Sequence, residues 1–155
     1  MKHFVHLVAS GLLLLAAFAL GGCRTDDQAH SGDMASVMID GHTAAEIRQT
    51  TVAVFLANGF EQAQTLTFEK QASPMQTAAY SGWSIDPIWI RVRANIATLA
   101  PGHCILGCDV FKVRDRNKGL LEEEQRFYFQ KRDECKKLLD LVKARLDSEP
   151  ASEPK

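Results

Sequence analysis

Across residues 88–99 apolar and polar side chains alternate with a period of two: Ile88, Ile90, Val92 and Ile96 fall on one face, and Trp89, Arg91, Arg93 and Asn95 on the other. A strand written this way has one dry face and one wet face, an arrangement that antiparallel sheets permit. Pro101-Gly102 supplies a turn. Residues 104–113 then repeat the alternation, with Cys104, Leu106, Cys108 and Val110 on a single face. The two segments predict an antiparallel hairpin, and its dry face has to be covered by other parts of the chain.

Two helices provide that cover. Thr43-Ala44-Ala45-Glu46 is a capping box, in which the Thr hydroxyl and the Glu carboxylate each satisfy a backbone N–H that the first turn leaves without a partner. The helix is expected to start at Ala44. Ile47, Thr51, Val54 and Phe55 form its core-facing stripe, and Gly59 followed by Phe60 marks a Schellman stop. A second helix is expected over residues 131–146, with Cys135, Leu138, Leu139, Val142 and Leu146 on its apolar stripe. Its polar face pairs Asp133 with Lys137 and Asp140 with Lys143 at helical spacing.

Between these landmarks the periodicity is weaker. Thr65-Leu66-Thr67-Phe68-Glu69 alternates and predicts a strand, and residues 78–83 predict a shorter one after the break at Pro74. Residues 114–119 read as a charged turn, and residues 120–129 as an extended piece. The expected fold is therefore α+β: an antiparallel sheet of about four strands with two helices packed on one face, in the order α-β-β-β-β-α.

The N-terminus limits where the chain works. Lys2, the block Leu12-Leu13-Leu14-Leu15 and the small residues Gly21-Gly22 have the layout of a signal peptide. The apolar run at residues 7–20 is about 14 residues long, short of the roughly 20 that span a bilayer. Leu20-Gly21-Gly22-Cys23 resembles the lipobox of bacterial lipoproteins. That resemblance implies removal of residues 1–22 as a lipoprotein signal peptide, a diacylglyceryl thioether on Cys23 and an amide-linked acyl chain such as palmitate. It makes the membrane a partner through the lipid on Cys23. Arg24 at the next position favours the outer membrane, facing the periplasm, over the inner membrane. The order of elements is similar to that of helix-grip lipoproteins of the outer-membrane assembly machinery, without a shared motif.

Removing residues 1–22 from the 155 leaves 133, with 17 basic and 19 acidic side chains and a net charge of −2. A chain of this size is one domain. Its near-neutral balance argues against nucleic acid, which demands a concentrated basic surface. Residues 23–36 are polar, carry Asp26, Asp27 and Asp33, and read as a flexible tether. The single domain is expected over residues 37–147, and the Pro-containing residues 148–155 read as a disordered tail.

With Cys23 assigned to lipid, three cysteines remain, in a compartment that oxidises thiols. Cys104 and Cys108 lie roughly 13 Å apart on a regular strand at about 3.3 Å per residue, beyond disulfide reach of each other. Either can pair with Cys135, and Cys108 is favoured over Cys104 because it sits nearer the strand middle.

No motif assigns chemistry. There is no Gly-x-Ser-x-Gly elbow and no glycine-rich phosphate loop. His42, His103 and the methionines lack the convergence that a metal site requires. No enzyme activity, cofactor or metal is expected. The residues singled out for binding are Trp89, Arg91 and Arg93, which share the wet strand face and belong to types enriched in binding hot spots. The function read from the sequence is a lipid-anchored binding or scaffolding module of the envelope, with another envelope protein as candidate partner. The alternative is a lipoprotein that binds a small ligand or a soft metal ion.

Overall fold

A computed structural model describes residues 34–81, 86–127 and 131–148. It shows an α+β architecture with a six-stranded antiparallel sheet and three helices. The elements are β1 (Ala35–Asp40), α1 (Ala44–Ala57), β2 (Glu61–Gln64), β3 (Thr67–Gln71), α2 (Pro74–Ser81), β4 (Trp89–Ala100), β5 (His103–Arg114), a 3-10 turn (Gly119–Leu121), β6 (Glu123–Arg126) and α3 (Arg132–Ser148).

The expected hairpin is the spine of the sheet. β4 and β5 pair from Trp89↔Val113 to Ala100↔His103, with a bulge beside the turn where Gly102 has φ +76°. β3 lies on the other side of β4, and β2 continues outward from β3. The free edge of β5 is shared by two strands laid end to end. β1 pairs with its first half, from Ala35↔Cys108 to Asp40↔His103, and β6 with its second half, from Phe111↔Arg126 to Arg114↔Glu123. Asp109 stitches this seam, accepting from the Met34 N–H at 3.1 Å and pairing with the Arg126 guanidinium.

Register places Phe68, Ile90, Val92, Leu106, Cys108, Val110, Val37 and Ile39 on one face of the sheet, where α1 and α3 pack to form the core. α1 starts as its capping box dictates. The Thr43 hydroxyl accepts from Glu46 N–H at 3.2 Å, and the Glu46 carboxylate accepts from Thr43 N–H at 2.8 Å. It stops in a Schellman motif, with Phe60 N–H donating to Phe55 O, Gly59 N–H to Leu56 O and Gly59 at φ +78°. Phe55 is then fixed between two rings, stacked on Phe68 at 4.3 Å and edge-on to Phe60 at 5.3 Å. α3 buries Cys135, Leu139, Val142 and Leu146.

The count of about four strands and two helices in the order α-β-β-β-β-α is corrected in four places. β1 precedes the first helix and begins at Ala35, inside the stretch assigned to the tether; its outward Met38 hides the alternation of Ala35, Val37 and Ile39. β2 adds an edge strand whose four residues, Glu-Gln-Ala-Gln, are all exposed, so no burial pattern marks it. The expected strand at residues 78–83 is in part the helix α2, since Pro74 occupies a first-turn position where its missing N–H costs nothing. Ser73 and Gln76 cap that turn reciprocally, while residues 82–85 lie outside the described part. The extended piece at residues 120–129 resolves into the end of the 3-10 turn and β6, with residues 128–130 outside the described part.

Candidate functional site

The sheet face away from α1 and α3 carries Trp89, Arg91 and Arg93 in one row, as the alternation requires. The structure surrounds that row with acids from three other segments. Arg91 Nε donates to Glu69 at 2.6 Å, and its Nη1 reaches Glu122 at 2.7 Å and Glu124 at 3.1 Å. Arg93 meets Glu124 at 2.7 Å and lies 4.6 Å from the centre of the Phe111 ring. Arg116, from the loop after β5, reaches Glu69 at 2.5 Å and Glu61 at 3.5 Å, and its guanidinium lies 3.8 Å from the centre of the Trp89 ring. Glu69, only 2% exposed, thus has an arginine on each side.

Titration follows this geometry. Burial acts to lower the Arg91 pKa, but the hydrogen bonds and charges of Glu122 and Glu69 outweigh it, and the net shift is upward. The Glu122 carboxyl is held below the usual carboxylate range, first by its hydrogen bond from Arg91 and then by the Asn117 N–H. Arg91 therefore remains a cation already matched to carboxylates, and the Arg116 guanidinium lies over Trp89.

The opposite face holds a different kind of feature. Where α1 ends, the helix layer leaves a groove of about 590 Å³ over the sheet. Its floor is Ile90, Val92 and Val110, and its apolar walls are Phe60, Leu138 and Leu141. Leu141 remains 49% exposed beside it. Lys70, Lys131 and Lys137 line the groove with a single acid, Glu134. Lys131 is 3% exposed and its Nζ meets both Glu134 oxygens at 2.7 and 2.8 Å, while Lys70 donates to the Asn58 carbonyl at 2.9 Å. On α3, Lys136 pairs with Asp140, and Lys143 donates to the Met38 carbonyl of β1. The pairings expected from spacing, Asp133 with Lys137 and Asp140 with Lys143, are therefore replaced, and Lys137 turns to the groove instead.

A disulfide joins Cys108 of β5 to Cys135 in the first turn of α3, the pair favoured from sequence. The alternative of Cys104 with Cys135 is not formed. Cys104 is a buried free thiol near the hairpin tip, opposite Ile39 and Thr98 and four residues along β5 from Cys108. Cys135 lines the groove, so the bridge fixes one wall to the floor. Cys23 lies outside the described residues. Among the described residues no three or more His, Cys, Asp or Glu side chains gather in a way that could hold a metal ion.

The groove escapes sequence reading because its residues come from the segment after α1, from β3, α2, β4 and β5, and from α3. One signal was available: Leu138 and Leu141 form a second apolar line on α3, beside the core stripe of Cys135, Leu139, Val142 and Leu146. Comparison with protein-family models, curated proteins and solved structures finds no match to this chain.

Proposed function

We propose that this protein is a non-catalytic binding module of the bacterial envelope, anchored by lipid on Cys23, whose working surface is the groove between α3 and the segment that follows α1. The observation that carries this reading is the groove itself: a concave space of about 590 Å³ lined by apolar and polar side chains together, within the size range of ligand sites. The Cys108–Cys135 bridge suits an oxidising compartment, and the lipobox resemblance suits the anchor.

Trp89, Arg91 and Arg93 have weaker support as a docking surface. A partner would have to displace Glu69, Glu122 and Glu124 from Arg91 and Arg116 from Trp89 before contacting either side chain. Arg93 is the more open of the two arginines.

Two measurements test the proposal. Metabolic labelling with an alkyne fatty acid should mark the wild-type chain and leave Cys23→Ala unmarked, and labelling that ignores Cys23 would remove the anchor. Leu138→Asp should change what co-purifies with the protein from envelopes, whereas Arg93→Ala should not. The reverse pattern would move the working surface to the outer face of the sheet.

A further inference from the structure

We infer that the turn carrying Leu120 and Leu121 inserts into the bilayer that holds the lipid on Cys23, so that the end of the sheet where β4 begins and β5 ends lies against the membrane. This rests on the lipid anchor and goes beyond it, by naming the part of the folded domain that meets the acyl chains. Three features carry the inference.

The first is where the exposed apolar side chains gather. Among the described residues the three most exposed large ones are Leu120, wholly in solvent, Met75 at 84% and Leu121 at 68%. The register brings all three to one end of the sheet. Gln71, the last residue of β3, pairs with Trp89, and Trp89 with Val113, so α2 with Met75 and the turn with Leu120 and Leu121 both leave the sheet there. Arg114 at the end of β5 ties α2 to this place, its Nη2 donating to the Tyr80 carbonyl at 3.1 Å. Large apolar side chains gathered in this way mark a contact with a protein or a membrane.

The second is the place where the domain takes over from the tether. β1 runs from Ala35 opposite Cys108 towards the hairpin tip at His103, so its N-terminal end points towards β6 and the Leu120–Leu121 turn. Met34 stands at the level of Asp109, five residues short of Arg114 at the end of β5, or about 17 Å at about 3.3 Å per residue. Residues 23–33 number eleven, and such a length spans at most about 36–40 Å. Lipid on Cys23 can therefore sit in a bilayer that touches this end of the folded sheet. Contact through the hairpin tip would require the chain to turn back along the whole of β1.

The third is how the turn is built and charged. Leu121 N–H donates to the Lys118 carbonyl and Glu122 N–H to that of Gly119, while the Glu122 carboxylate accepts from Asn117 N–H at 3.0 Å and from Arg91 at 2.7 Å. The two leucines thus project from a turn that the arginine lattice of the outer face holds in place. From Arg114 to Arg126 four basic and four acidic side chains cancel, Lys118 pairs with Asp115, and Arg116 pairs with Glu69. This end carries no excess of cations for anionic head groups, so the contact is apolar and suits an electrically neutral lipid surface. Two or three apolar side chains are too little area for a stable protein interface. Beside a bilayer that already holds the chain, high effective concentration lets them orient the domain.

The test reconstitutes the full chain into phosphatidylcholine vesicles containing a phospholipid with a diazirine midway along one acyl chain, followed by irradiation and peptide mass spectrometry. The inference expects labelling centred on residues 119–122, with Met75 labelled more than Met38 or Leu99 near the hairpin tip. It should be the same at low and high salt and with anionic phosphatidylglycerol added. Leu120→Ser combined with Leu121→Ser should lower labelling of residues 115–126 by about tenfold. Tm should not change, because both side chains are exposed. Leu99→Ser makes the same change at the hairpin tip and should leave labelling unchanged. Labelling at Leu99 and Met38 in place of the turn, or labelling of the turn that needs anionic lipid, would overturn the inference. Labelling confined to residues before Met34 would keep the anchor and overturn the contact. Labelling of the turn at the wild-type level in Cys23→Ala would instead keep the contact and remove the anchor.

Discussion

The two faces of this sheet are built from the same strands and are completed by opposite means. On the outer face, charge is completed from within: β6, the loop after β5 and β3 bring Glu124, Glu122, Arg116 and Glu69 to the arginines of β4. On the helix face the sheet is buried, with Ile90, Val92 and Val110 in the core, and the surface left open is on the helix side of a groove beside Leu138 and the half-exposed Leu141. A row of Trp and Arg in a strand is thus poor evidence of a free surface. A groove is better evidence, since nothing in the described chain fills it.

The contrast can be broken from either side. The largest effect belongs to the helix face, where Phe68 is fully buried and stacked on Phe55. Phe68→Ala should cost about 3–5 kcal/mol of unfolding free energy, read from urea denaturation, and the loss should be the same at low and high salt because it is apolar packing that is removed. A strong salt dependence would show that the two faces are not energetically separate.

Next comes the bridge that ties the two layers. Replacing both Cys108 and Cys135 with Ala opens a closure between residues 27 apart and should cost about 3 kcal/mol. Reductant should lower the wild-type Tm towards that of the double variant and leave the variant's own Tm unchanged. A wild-type Tm indifferent to reductant would mean that the bridge holds little of the contact between α3 and the sheet.

On the outer face, Glu69→Ala leaves Arg91 and Arg116 without their shared, nearly buried acid and should cost about 3 kcal/mol. Adding Arg116→Ala to that variant should cost less than it does in the wild type, because the two residues act through one contact. Strict additivity would dissolve the idea of a coupled lattice.

The smallest effect is a pH dependence. The folded state lowers the Glu122 pKa from 4.5, so its contribution is complete above about pH 4.5 and is lost as pH falls through the lowered folded value. Glu122→Gln should therefore flatten the acid limb of a Tm-against-pH curve and leave the neutral region's slope unchanged. An acid limb identical in variant and wild type would remove Glu122 from the lattice.

Much of the fold is legible where the signal is local or periodic. The β4–β5 hairpin, the start and stop of α1, the core stripe of α3 and the choice of Cys108 for Cys135 all follow from spacing, capping chemistry and strand geometry. The misses share a physical cause. β2 is a polar edge strand held by pairing rather than by a buried face, so alternation says nothing about it, whereas β6 falls inside the expected extended piece. β1 is disguised by the outward Met38, and α2 by a proline that opens a helix instead of breaking one. The candidate site is the least legible part, because Lys70, Phe60, Ile90 and Lys137 are distant in sequence and each has an unremarkable local setting.

By itself the sequence determined that one sheet face would be dry and the other charged, because a period of two sends neighbouring side chains to opposite sides whatever the topology. It also determined the ends of α1, because capping depends on residues within one turn. Tertiary structure alone decided which acids reach Arg91, and where a groove opens beside α3. Those outcomes depend on loop paths and on where α1 ends relative to α3, distances that no local pattern encodes.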